Sequence, residues 1–228
     1  MKKILVCSLA LGLIANTAFS QDKAELTTSE QRVSYCIGAD IGKTFQEQGI
    51  DIDVKALSSG IADSLVGQSA LSEEEIKTVM TAFQQEMMSK MQAKQATAST
   101  ENLQAGQTFL AENGKKDGVK VLPSGLQYKV LKSGEGRTPA ATDKVKTHYH
   151  GTLIDGTVFD SSVERGDPVS FPVNGVIPGW TEALQLMKEG DKWQLFIPAD
   201  LAYGEQGAGA RIGPNSALVF EIELLAVE

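Results

Sequence analysis

From Leu71 to Leu103 the chain runs without a proline or a glycine, and no other feature limits its possible folds so strongly. Ser72-Glu73-Glu74-Glu75 opens the run as a capping box, with Glu75 placed to reach back to the Ser72 amide. Acidic residues in a first turn also suit the positive end of the helix dipole. Ile76, Val79, Met80, Phe83, Met87, Met88 and Met91 follow at helical spacing, and between Gln92 and Asn102 the stripe fades into Lys, Gln, Ala, Ser and Thr. Carried to Asn113-Gly114, the pattern predicts one helix about 60 Å long, at 1.5 Å per residue. A rod of that length cannot fold back on its own small domain, so its middle is expected to be solvated. The alternative is two shorter helices with a flexible polar linker at 95–102, nearer to common helix lengths.

Upstream, Thr28 or Ser29 can cap a helix in which Val33, Ile37, Ile41 and Phe45 recur every fourth residue, ending at Gly49. Asp53 starts a second helix, with Val54, Leu57, Ile61 and Leu65 as its stripe, stopping near Gly67. Two short helices and half a rod bury little surface alone. The Met-rich face therefore predicts a homodimer through residues 29–91, with a core shared between copies. Cys36 sits among apolar helical positions and is expected to be buried.

The first twenty residues read as an export signal. Lys2 and Lys3 supply the positive region and Ile4 to Ala15 the apolar core. Ala18-Phe19-Ser20 offers small residues for cleavage before Gln21. The apolar run is too short to span a bilayer, which makes a retained anchor the weaker reading. Cys7 leaves with the leader, so no intramolecular disulfide is possible in the mature chain. The net charge of −8, with no basic stripe to offset it, argues against a nucleic-acid partner.

Beyond a hydrophilic hinge at Lys115–Gly118 the period changes to two. Leu126, Tyr128 and Val130 alternate with polar positions, as do Val145, Thr147 and Tyr149. Asp155-Gly156 between Leu153 and Val158 signals a hairpin. Trp193, Leu195 and Ile197, then Leu218, Phe220, Ile222 and Leu224, give two more strands, with one short helix at about Trp180 to Lys188. The fold class is α+β, with an all-α N-terminal dimerisation domain and a curved antiparallel sheet at the C-terminus. Domain limits are expected at 1–20 for the leader, 21–71 for the helical domain, 72–118 for the long helix and hinge, and 119–228 for the sheet domain.

Three segments of the sheet domain gather aromatic and branched side chains around a carboxylate and a phenol: Val158-Phe159-Asp160-Ser161-Ser162, Val176-Ile177-Pro178-Gly179-Trp180 and Leu201-Ala202-Tyr203-Gly204. They describe an apolar pocket with two polar handles, suited to a change in which no bond breaks. Taken singly, Phe159, Trp180 and Phe220 are more often core than site, and only their joint spacing reverses that. Asp160 with Arg165 can be a structural ion pair, a functional one, or both, and Tyr203 before Gly204 can be a turn tyrosine. His148 and His150 share a strand face, but two ligands make half a metal site. They are expected to face solvent opposite Tyr149, and no metal or cofactor is expected.

Together with Tyr149, Gly151-Thr152-Leu153, Asp155-Gly156 and the closing Leu218 to Leu224, these segments resemble the FK506-binding-protein (FKBP) family of peptidyl-prolyl isomerases over residues 123–228. The helical half resembles, by layout, the exported macrophage-infectivity-potentiator-like and FkpA-like members. The resemblance implies a twisted antiparallel half-barrel around a short helix, catalysing Xaa-Pro rotation in proline-containing unfolded or partly folded polypeptides. Asp160, Tyr203 and Phe159 would be catalytic. Tyr149, Val176, Ile177, Trp180, Ile212 and Phe220 would bind substrate, with Trp180 as the floor and Arg165 paired to Asp160. Macrolides of the FK506 and rapamycin type would inhibit. The implied location is the periplasm of a Gram-negative bacterium or its outer membrane. Many members have an aromatic where Val169 stands, which implies a thinner wall there and weaker macrolide binding. A non-catalytic holdase chaperone is the rival reading. The sheet domain is expected to act on short peptides without residues 21–118.

Overall fold

The computed structural model describes residues 25–228, so the predicted leader lies outside the described residues. The chain divides between Glu73 and Glu74 into two compact units.

The first unit holds α1 (Ser29–Gln48) and α2 (Val54–Leu65). Thr28 caps α1 with a reciprocal box: its hydroxyl accepts from the Gln31 amide at 3.2 Å, and the Gln31 side chain accepts from the Thr28 amide at 3.1 Å. The Asp53 carboxylate caps α2 by accepting from the Lys55 and Ala56 amides. Such caps contribute about 1 kcal/mol each, so these helices are locally well specified. Packing tells another story, because neither helix has a buried residue. An apolar groove of about 430 Å³ runs between them, lined by Ile41, Phe45, Ile52, Leu57 and Ile61 among others. Cys36 is exposed, against expectation, on a helix that buries none of its residues.

The second unit begins with α3 (Glu73–Asn113), one unbroken helix of 41 residues with no break at 95–102. Seven strands follow among the described residues: β1 (Val119–Val121), β2 (Gln127–Lys132), β3 (Lys144–Leu153), β4 (Val158–Ser161), β5 (Val169–Pro172), β6 (Lys192–Ile197) and β7 (Leu218–Val227). They form an open, twisted antiparallel sheet in the order β1-β2-β6-β7-β3-β4. β5 pairs with the first half of β3, Val145 opposite Phe171, while β4 pairs with its second half. A one-turn helix, α4 (Ser162–Arg165), links β4 to β5. The β3–β4 hairpin closes through Gly156 at φ 88, in the left-handed region where glycine carries no Cβ penalty.

The core lies between the concave sheet face and α5 (Pro178–Leu184). Alternation delivers it: Val145, Thr147 and Tyr149 from β3, and Leu218, Phe220, Ile222 and Leu224 from β7, are all buried. The opposite face is not free either. The last turns of α3 lie on it, with Phe109 6.0 Å from Phe196 between ring centroids. Asn113 donates to Gln127 at 3.0 Å, and Gln127 donates to the Leu110 carbonyl at 2.8 Å. Asn113 and Gln127 are 2% and 5% exposed, so the buried Asn113 amide nitrogen is satisfied by Gln127 and that of Gln127 by the Leu110 carbonyl.

Candidate active site

α5 starts two residues earlier than the sequence suggests and ends at Leu184, because Pro178 fits the first helical position, where no amide partner is needed. Gly179 lets this turn approach β6: a Cβ there would lie 2.6 Å from Ile197 Cγ2. Trp180 is thereby buried under the concave face. On β3, a Cβ at Gly151 would lie 2.7 Å from both the Phe159 and Phe220 rings, so glycine makes the space in which those rings meet. They cross edge to face at 5.4 Å. Trp180 is the hub of the cluster, at 5.2 Å from Phe220, 5.4 Å from Tyr149 and 5.9 Å from Phe171, each nearly perpendicular. Perpendicular rings are the favourable arrangement for aromatic quadrupoles.

One rim of the cavity is polar. The Tyr149 hydroxyl donates to Asp160 Oδ2 at 2.5 Å and accepts from Arg165 Nη2 at 2.8 Å. Arg165 also bonds Asp160 Oδ1, and its guanidinium lies 5.6 Å from the Tyr149 ring centroid. Burial pushes the Asp160 carboxyl up, but the Tyr149 hydroxyl, Arg165 and the Ser161 amide together outweigh it and hold the group below its ordinary value. Tyr149 moves the other way, raised by burial first and by its bond to Asp160 second. Asp160 is therefore a carboxylate at neutral pH, partly neutralised from behind.

The far rim is a loop in which Ala208 and Ile212 bond each other's backbones at 2.8 and 3.2 Å. Arg211 Nη1 donates to the Phe159 carbonyl at 2.9 Å, tying this loop to β4. Tyr203, 40% exposed, stands at the mouth, and its hydroxyl bonds to no protein group among the described residues.

The resulting cavity is about 830 Å³. Tyr149, Phe159, Asp160, Val176, Ile177, Trp180, Tyr203, Ile212 and Phe220 all line it, and Arg165 supports it from behind through Asp160 and Tyr149. Phe171 and Arg211 line it as well, and the sequence had not marked them. Val169 opposes Thr147 and packs on the core, whereas Phe171, two residues along the same strand face, gives the cavity an aromatic wall. The histidines also depart from expectation. His148 Nδ1 lies 3.1 Å from Ser162 Oγ and His150 Nδ1 lies 3.0 Å from Ser161 Oγ, so both are half-buried and engaged with the turn after β4. Among the described residues no group of three or more His, Cys, Asp or Glu is placed to hold a metal ion.

The site is thus an open antiparallel sheet folded about a short helix, over an aromatic cavity with a phenol at its mouth. The chain belongs to the FKBP-type peptidyl-prolyl cis-trans isomerases, whose family description matches residues 135–225. The description "Domain amino terminal to FKBP-type peptidyl-prolyl isomerase" matches residues 30–130. The chain is 48% identical over 230 residues to the outer membrane protein MIP of Legionella longbeachae, covering 100% of this chain and 99% of that one. It is 49% identical over 203 residues to the 22 kDa FKBP-type isomerase of Escherichia coli K12, covering 88% and 96%. The crystal structure of FkpA from E. coli superposes with a TM-score of 0.71 at 40% identity, covering 90% of this chain and 99% of that one. The protein is an enzyme, a peptidyl-prolyl cis-trans isomerase acting through the aromatic-lined pocket.

Proposed function

We propose that the prolyl ring of an unfolded or partly folded client sits on Trp180, between Phe159, Val176, Ile177, Ile212 and Phe220, with the preceding carbonyl at the mouth beside Tyr203 and Asp160. An amide bond resists rotation by about 18–20 kcal/mol because resonance makes it planar. The twisted state loses that resonance and its charge separation, so a site poor in water favours it over the planar form. Tyr203 donates to a substrate carbonyl once the bond has twisted, which is binding present only in the transition state. Asp160 sets the field near the rotating carbonyl, with Phe159 beneath it, and Arg165 with Tyr149 holds that carboxylate in place. The observation that carries this reading is the Tyr203 hydroxyl, unengaged at the mouth of a cavity whose floor is otherwise apolar. The test is cis–trans exchange of a short Xaa-Pro peptide with residues 21–228, with and without an FK506-type macrolide. Acceleration blocked by the macrolide, and reduced about threefold to tenfold by Tyr203→Phe at unchanged melting temperature, supports it; a neutral hydrogen bond is worth about 0.5–1.5 kcal/mol. Unchanged catalysis by Tyr203→Phe removes the phenol from the mechanism.

The domain layout that fits is a helical dimerisation domain at 21–71, a connecting helix with its turn at 72–118 and an isomerase domain at 119–228. Two copies pair through residues 29–91, covering Val33, Ile37, Ile61 and Met88, each more than half exposed in one chain. The paired domains hold unfolded segments while the pockets turn over their prolines, which accounts for chaperone action alongside catalysis. The work is done in the periplasm: the first twenty residues have the make-up of an export leader, and a near relative is an outer membrane protein. No helix among the described residues is long and apolar enough to cross a membrane.

A further inference from the structure

The loop that walls the pocket is soft by composition and firm by attachment. Gly204, Gly207 and Gly209 all stand at positive φ, and the loop's base closes where the Asn215 amide donates to the Gly204 carbonyl at 2.8 Å. Two side-chain bonds then tie its foot to α3. Asn102 Nδ2 donates to the Pro214 carbonyl at 2.8 Å, and Asn215 Nδ2 donates to Ser99 Oγ at 2.8 Å. The approach is close: a Cβ on Gly213 would lie 2.9 Å from Asn102 Nδ2, and one on Gly106 would lie 3.0 Å from the Ala217 Cβ.

We propose that Asn102 and Asn215 are positioning residues of the isomerase, fixing the pocket loop to α3 so that the helix sets how the loop faces the residue preceding the substrate proline. This rests on the reading that the pocket holds an Xaa-Pro peptide. Three arguments support it. First, α3 is a rigid reference here, because Phe109, Leu110 and Asn113 anchor its next turns to the sheet. Second, Asn215 has φ 54, the one non-glycine residue at positive φ among the described residues. Glycine would meet that backbone at less cost, but it would lack the amide that reaches Ser99. Third, the attachment lies three residues from Ile212, whose side chain lines the pocket, and four from Arg211, which binds the Phe159 carbonyl. The loop is therefore held at two points, Arg211 on the sheet and Pro214–Asn215 on the helix, with Ile212 between them.

The experiment uses the full mature chain and three variants: Asn102→Ala, Ser99→Ala and Asn215→Gly, the last keeping the backbone conformation while removing the amide. Amide hydrogen exchange at Ala208 and Ile212 is read beside that at Leu195 and Ile222. Catalytic efficiency is measured on peptides with alanine, leucine or phenylalanine before proline. Expected is exchange about tenfold faster at Ala208 and Ile212, the loss of roughly one side-chain hydrogen bond. Exchange in the core strands is expected to stay unchanged. The spread of kcat/KM across the peptides should narrow about threefold, chiefly through KM. Unchanged exchange in the loop would mean it is held without the helix. Faster exchange with the same peptide ranking would mean its position does not govern selectivity. Either result overturns the proposal. Failure of the pocket reading itself is separate, and appears as full activity in Tyr203→Phe together with Asp160→Asn.

Discussion

The two units of this chain are built from the same kinds of residue and end in opposite states. In the second unit Leu126, Leu184, Leu195, Ile197, Leu218, Ile222 and Leu224 have no solvent exposure at all. In the first, α1 and α2 carry comparable apolar stripes and bury none of them. Local signals are as good in one as in the other, since both helices of the first unit have side-chain caps. Helical pattern and capping thus specify an element without completing a core. A core needs a second surface, which the sheet supplies to α5 and which the proposed pairing of two copies would supply to the first unit.

The sharpest way to break this comparison is to charge the exposed stripe. Ile37 and Ile61 are 57% and 51% exposed, and on a free surface Ile37→Glu with Ile61→Glu would change stability by only about 0.5 kcal/mol. If a second copy covers them, an unpaired buried carboxylate costs about 3–5 kcal/mol. Sedimentation velocity should then show dimer affinity weakened by about a thousandfold, with peptide isomerisation intact. A double variant that sediments like the parent protein would exclude this face as the dimer contact.

Core truncation comes next. Leu195→Ala or Leu218→Ala should cost about 2–5 kcal/mol, lowering the denaturant midpoint of the second unit and leaving the helical signal of the first in place. A single shared transition would show the units to be one cooperative body. A smaller effect, about 1–3 kcal/mol, is expected from the point of truncation. A chain starting at residue 96 keeps Asn102, Phe109 and Asn113, whereas one starting at 119 uncovers Phe196 and strands the Gln127 amide. The two should differ in melting temperature, the longer being the more stable, and equal stability would mean that the docked helix contributes nothing.

That last contrast marks where sequence reasoning stops. The three N-terminal helices were legible because Thr28, Gly49, Asp53 and the run without glycine or proline act locally. The pocket was legible in part from three segments that gather apolar side chains around Asp160 and Tyr203, and the full set of nine followed from the family resemblance; all nine line one cavity. Gln127 was not, since period-two alternation marks it for solvent. Only a helix ending fourteen residues earlier, folded back onto that face, buries it. Phe171 lay hidden in a four-residue strand too short to show a period, and Arg211 in a loop with no pattern of its own. Cys36 departs from the burial its helical position predicts, because position reports the face a residue occupies and not whether anything covers that face.

The smallest effect concerns the polar rim, and it contrasts the finished unit with itself across pH. Asp160 is held below its ordinary value. Its contribution to stability is therefore complete above the unfolded carboxylate value and is lost only as pH falls through the lowered folded one. Tyr149 is raised, so its contribution is complete below the ordinary tyrosine value and is lost as pH rises through the raised one. Between those limits the Tyr149–Asp160–Arg165 set does not titrate, and kcat/KM should run level across it. Tyr149→Phe removes the donor bonded to Asp160 Oδ2 while leaving Arg165, so the carboxyl should rise toward its ordinary value. The acid limb of the pH–activity profile should move upward with it. Because Arg165 still pairs with the carboxylate, the displacement should be modest, and activity at neutral pH should fall less than in Tyr203→Phe. An acid limb that stays in place would mean that a group other than Asp160 sets it.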